Sequence, residues 1–171
     1  MILELNTTSS LDQSILDLVE MSPVEDLLLA LLPPWLPGVD VRSLVQDDQT
    51  FPLALCRRVA DWGDWQGDER FQDAATIAVH TYCEGVNADS DAALLSEAIR
   101  VVLRKSINVP VPDQGHITKI KMLQAPHRVT DWATASGPVQ YADLPTGVHR
   151  YETTYRIDIK RAFANGDATP R

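Results

Sequence analysis

The stretch from Arg150 to Lys160 constrains the fold more than any other part of this chain. Tyr151, Thr153, Tyr155, Ile157 and Ile159 alternate with Glu152, Thr154, Arg156, Asp158 and Lys160. A period of two places the first set on one face of an extended segment and the second on the other. The apolar face must be covered, and the backbone must pair with neighbouring strands. Four further runs supply those neighbours. Val39, Val41 and Ser43 alternate with Asp40 and Arg42, and Phe51–Ala60 is a short apolar run bounded by turn formers. Ala75–Glu84 carries bulky residues on both faces and reads as a central strand. Ile117–Gln124 sets Ile117, Lys119 and Lys121 against Thr118, Ile120 and Met122.

The covering layer is helical. Asp91–Lys105 presents Ala92, Leu95, Ile99, Val102 and Leu103 along one stripe. Asp89 and Asp91 stand at its start, and Arg100, Arg104 and Lys105 at its end, matching the helix dipole at both poles. Ser90 or Asp89 is the expected cap, and Asn108 with Pro110 closes the region. Near the N-terminus two short helices are expected. One is opened by Ser10 and Gln13 and sets Leu11, Ile15, Leu18 and Val19 on one face. The second is opened by Ser22, Pro23 and Glu25, buries Val24, Leu27, Leu28 and Leu31, and stops at Pro33-Pro34. The order defines an α+β fold: a mostly antiparallel β-sheet packed against one long helix, with two short N-terminal helices. At 171 residues the reading is a flexible arm at 1–9, a single domain at 10–163 and a flexible tail at 164–171.

Chemistry is harder to find. No glycine-rich phosphate loop, nucleophile elbow, paired Cys-x-x-Cys or His-Glu-x-x-His occurs, so no catalytic residue and no cofactor is expected. His80 and Cys83 are the one pair at metal-like spacing, but residues three apart on a strand point to opposite faces. The acids Asp61, Asp64, Asp68 and Glu69 lack the alternating donors of a calcium loop, so no metal is expected. Cys56 and Cys83 are too few for a disulfide framework and read as buried thiols. A net charge of −9 argues against a nucleic-acid reader. No apolar run spans a bilayer and no signal peptide is recognised, so a cytosolic protein without a membrane partner is expected.

Two loops remain. The segment Asp61–Asp68 holds Trp62 and Trp65 among glycines and aspartates. It is either a solvated loop anchored by its tryptophans or a subunit contact, where aromatics are enriched. Ala125–Gly147 is too long for a plain connection and contains Trp132, Val139, Tyr141 and Leu144. It either folds back on its own domain or docks on a neighbour.

The string from Arg128 to Pro145, which reads RVTDWATASGPVQYADLP, and the run Val148–Ile157 resemble a segment of the tail terminator proteins of long-tailed bacteriophages. The Asp91–Arg104 helix and Gly115–Thr118 resemble the same family, so the likeness covers roughly Phe51 to Lys160. The resemblance implies a structural virion protein, not an enzyme. Such proteins form a homohexameric ring on the head-proximal end of the tail tube, made in the host cytoplasm. The ring stops polymerisation of the tail tube protein and presents a surface to the head–tail connector. DNA passes through its lumen without specific binding, which an acidic lumen would favour. On that reading the candidate contacts with other subunits or the tail tube are Trp62, Trp65, Trp132, Gln140, Tyr141 and Leu144. A head-completion or neck adaptor protein is the alternative.

Overall fold

The computed structural model describes residues 10–19, 22–44, 48–59, 71–129, 133–134, 137–138 and 147–160. Its centre is a mixed five-stranded sheet in the order β1-β2-β3-β7-β4, with β1 Asp40–Arg42, β2 Leu53–Val59, β3 Gln72–Cys83, β4 His116–Arg128 and β7 His149–Lys160. β1 runs parallel to β2, and every other pairing in this sheet is antiparallel. β7 is inserted between β3 and β4, so the most regular sequence in the chain takes an interior position. β3 is paired along both sides and is buried from Ala74 through Cys83. Its alanines and β-branched residues suit a strand covered on both faces.

Helix α3, Ala88–Lys105, lies across β3, β7 and β4. It buries Ile99, Val102 and Leu103 against Ile77, Val79, Tyr155 and Ile157, and Ala92 beside Cys83. The α2 helix, Val24–Leu31, packs on β2 through Val24, Leu27, Leu28 and Leu31 and completes the same core. Its Glu25 carboxylate accepts the Arg58 backbone N–H at 2.7 Å, tying the helix to the strand beneath it. The sheet therefore has a helix-covered face and an outer face. In the core one polar pair is fully accounted for: the Thr81 and Ser96 hydroxyls lie 2.6 Å apart, and both reach the Ala92 carbonyl.

Several boundaries differ from expectation, each for a local reason. α3 begins a turn early, at Ala88 after Asn87, with neither Ser90 nor Asp89 as cap and no side-chain cap bond. Asp89 and Asp91 instead sit in the first turn, where they oppose the dipole's positive end. β4 continues through Ala125–Arg128, so the long loop begins only after Arg128. Pro126 is tolerated because β4 is an edge strand and a register irregularity falls between Gln124 and His127. A second irregularity at Thr118 breaks the simple alternation, so that Ile117 and Ile120 both face the helix layer. The first helix, α1, is only Gln13–Leu16, capped by Asp12 rather than Ser10, and buries nothing. Leu11, Ile15 and Leu18, which share one face of the expected helix, are exposed. At four residues, it is too short to hold a helix against the cost of nucleation without packing.

Candidate functional site

Trp62, Trp65, Trp132, Gln140, Tyr141 and Leu144 lie outside the described residues. What the structure does describe is the foundation of the second loop. Within it, Ala133–Thr134 (β5) pairs antiparallel with Gly137–Pro138 (β6). At its base the Val129 N–H donates to the Arg150 carbonyl at 3.0 Å. The Arg128 guanidinium lies 2.9 Å from His149 Nδ1 and 3.2 Å from the Asp89 carboxylate at the start of α3. The two ends of the loop are thus pinned to each other and to the helix.

The outer face of the sheet holds a polar group that the alternation of β7 does not reveal. Register places His80 between Leu55 of β2 and Glu152 of β7, and Tyr82 between Leu53 and Arg150. All four of His80, Tyr82, Arg150 and Glu152 are buried, although in sequence Glu152 belongs to the polar side of the strand. Arg57 shares this face through its pairing with Ala78. His80 Nδ1 stands 3.7 Å from Glu152, too far for a hydrogen bond. Burial, followed by the positive charges of Arg150, Arg57 and His127, lowers the His80 pKa to about 3. The imidazole is therefore neutral at pH 7. Burial also pushes the Tyr82 phenol up, while a hydrogen bond from Arg150 pulls the other way.

Among the described residues this group holds a neutral imidazole, a phenol, a carboxyl and two guanidinium groups. Cys83 lies on the other face, against Ala88 and Ala92 of α3. The His80–Cys83 pair is thus divided by the strand, as the spacing implies. Among the described residues, no cluster of three or more His, Cys, Asp or Glu side chains could hold a metal ion. No helix among them is long and apolar enough to cross a membrane.

The thiols are built to be inert. Burial pushes Cys56 up to about 12 and Cys83 up to about 11, in each case with a smaller contribution from a nearby carboxylate. Because the thiolate is the reactive form, neither cysteine is expected to react with a disulfide reagent at pH 8 in the native state. Both should react once the protein is unfolded in denaturant. Rapid titration of one thiol in native protein would contradict the burial.

A second feature of the outer face is the open edge. β4 is thirteen residues long and has no strand on its far side among the described residues. Its Lys119 and Lys121 are exposed opposite Asp158 and Arg156, and Lys160 follows at the end of β7. Met122 and Leu123 are half exposed on the same strand. Compared with known proteins, the chain matches no family model and no curated protein.

Proposed function

We propose that this chain is a virion structural protein that caps the head-proximal end of a bacteriophage tail tube. On this reading copies of the chain form a ring, stop tube polymerisation and present the surface to which the head connector binds. It is not an enzyme, and its partners are itself, the tail tube protein and the neck proteins. The reading begins from the family resemblance. The observation that carries it further is spatial. The stretches that bear the resemblance fall on α3, on the opening of β4 and on β7, which pack directly on one another. The loop between the two strands, which bears the rest, leaves and re-enters at a point clamped by Asp89, Arg128 and His149. The ends of that loop are thus held to a helix and a sheet, and loops carried on rigid elements are where binding residues concentrate. The burial of Arg150 and Glu152 on the outer face is compatible with a scaffold.

Tail length tests the proposal. In a phage that encodes this chain, a stop codon in its reading frame should give over-long, headless tails. Purified chain added to polymerising tail tube protein should halt growth. Tails of normal length that fail to join heads would instead make the protein a neck adaptor.

A further inference from the structure

We infer that the open edge of β4 takes up an extended segment of a partner protein as an added strand, one in which acidic and apolar residues alternate. The edge recognises such a segment whether or not the chain caps a tail tube.

β4 is the last strand of the five-stranded sheet. At its start the edge is already used: Ile107 bridges Ile117 in parallel, and the Asn108 N–H donates to the Ile117 carbonyl at 2.7 Å. From Lys119 onward, nothing among the described residues pairs with that side. Register irregularities fall just before Lys119 and just after Met122, so Lys119–Met122 is a regular ladder on β7 between them. Its outward N–H and C=O groups therefore stand at strand spacing, a template for another chain.

The two faces of this stretch differ in kind. Ile120 and Met122 lie opposite Ile157 and Tyr155 on the helix-covered face, where Ile120 packs on the core and Met122 is 43% exposed. Lys119 and Lys121 lie on the outer face and are exposed. Among the described residues neither lysine side chain has a hydrogen bond or an ion pair. Arg42, Arg58, Arg100, Arg128 and Arg156, by contrast, each have a carboxylate partner. A strand laid against this edge thus meets cations at alternate positions and apolar surface at those between. Opposite charges directly across a ladder stabilise it and like charges destabilise it. The matching segment carries acids opposite Lys119 and Lys121 and apolar residues opposite Ile120 and Met122. In strand addition of this kind the main-chain bonds supply affinity, and the alternate side chains choose the partner.

The same lysines turn other occupants away. A second β4 edge brings lysines against lysines. The far edge, β1, is three residues long and sets Arg42 on the outer face beside Asp40. A second copy therefore offers no matching strand among its described residues. A DNA duplex could use the lysines, but it leaves the open backbone and Met122 without partners, and the net charge of −9 repels it.

The experiment uses the full chain and labelled synthetic peptides in fluorescence anisotropy at low salt. One peptide alternates glutamate and valine, one alternates lysine and valine, and one holds its glutamates and valines in separate blocks. The wild type should bind the alternating acidic peptide, with amide exchange slowed along Lys119–Met122. K119E/K121E should keep the wild-type circular dichroism, bind that peptide roughly tenfold more weakly, and take up the alternating lysine peptide instead. Loss of folding cannot produce such a reversal. Equal binding of the alternating and block acidic peptides would overturn the inference, as would undiminished binding by K119E/K121E or slowed exchange confined to other strands. So would a wild type that binds none of the peptides at about 1 mM. Displacement of the acidic peptide by duplex DNA, without slowed exchange along β4, would reassign the lysines to nucleic acid. Displacement by self-association of the wild type would make a second copy the occupant, and either result overturns the strand from a partner. None of these outcomes bears on tail length, which tests the capping function separately.

Discussion

Replacing Glu152 with leucine is expected to destabilise the fold by about 3–5 kcal/mol in urea unfolding at pH 7. Only 1% of Glu152 is exposed, and it shares the outer face of the sheet with Arg150, which is 5% exposed. A carboxylate at this depth is tolerable because positive groups surround it. The influence of Arg150 and Arg57 on His80, and of Arg150, Arg57 and Glu152 on Tyr82, places these charges within one electrostatic neighbourhood. Removing Glu152 takes the carboxyl from a face that also carries Arg150 and Arg57, and a buried charge left uncompensated is worse than either the intact group or none. The double variant Glu152→Leu with Arg150→Met should therefore recover much of the loss. A single variant as stable as the wild type would show that the carboxylate carries no burden in the fold. A double variant no better than the single would show that packing, not charge, is what Glu152 contributes.

The same residue shows where sequence reading succeeds and where it stops. The alternation of Arg150–Lys160 assigns each side chain of β7 to its correct face, because periodicity reports direction. It does not report depth. Glu152 falls on the polar side of the alternation, and only the register with His80 and Tyr82 shows that it and Arg150 are buried. α3 was legible because its apolar stripe and terminal charges agree with each other. β4 was legible only in part, since irregularities at Thr118 and around Pro126 shift its alternation in ways a fixed period cannot express. The apolar spacing of Leu11, Ile15 and Leu18 sets them on one face, but spacing does not guarantee a partner surface, and all three are exposed. The basic edge went unnoticed for a related reason. Lys119 and Lys121 are separated from Arg156 and Lys160 by more than thirty positions and meet only through strand pairing.

Acidification provides the second large effect, and its sign follows from His80. In the unfolded chain this imidazole titrates at its ordinary value of 6.5, whereas in the fold it does so at about 3. Between those values the unfolded state binds a proton that the folded state refuses. Stability is thus fully present above about pH 6.5 and declines as pH falls, by about 1.4 kcal/mol per unit, until His80 protonates in the fold as well. By pH 4.5 the loss should reach about 3 kcal/mol. Attraction to Glu152 at 3.7 Å does not rescue the proton, because burial and the two guanidinium groups oppose it. Carboxylates act lower in the pH range. Asp48 and Glu97, held down by hydrogen bonds from Arg42 and Arg100, withdraw their contributions only as pH falls through and below the ordinary carboxylate range. Asp26, raised by burial and by Glu25, acts in the opposite direction. Across the interval from pH 6.5 to 4.5 the contribution of His80 is the largest of these. Denaturant unfolding at half-unit steps across it should show the decline in the wild type and a nearly flat line in His80→Gln. A wild-type profile that is itself flat would mean that His80 protonates freely in the fold, and that the outer face is open to water where the structure closes it.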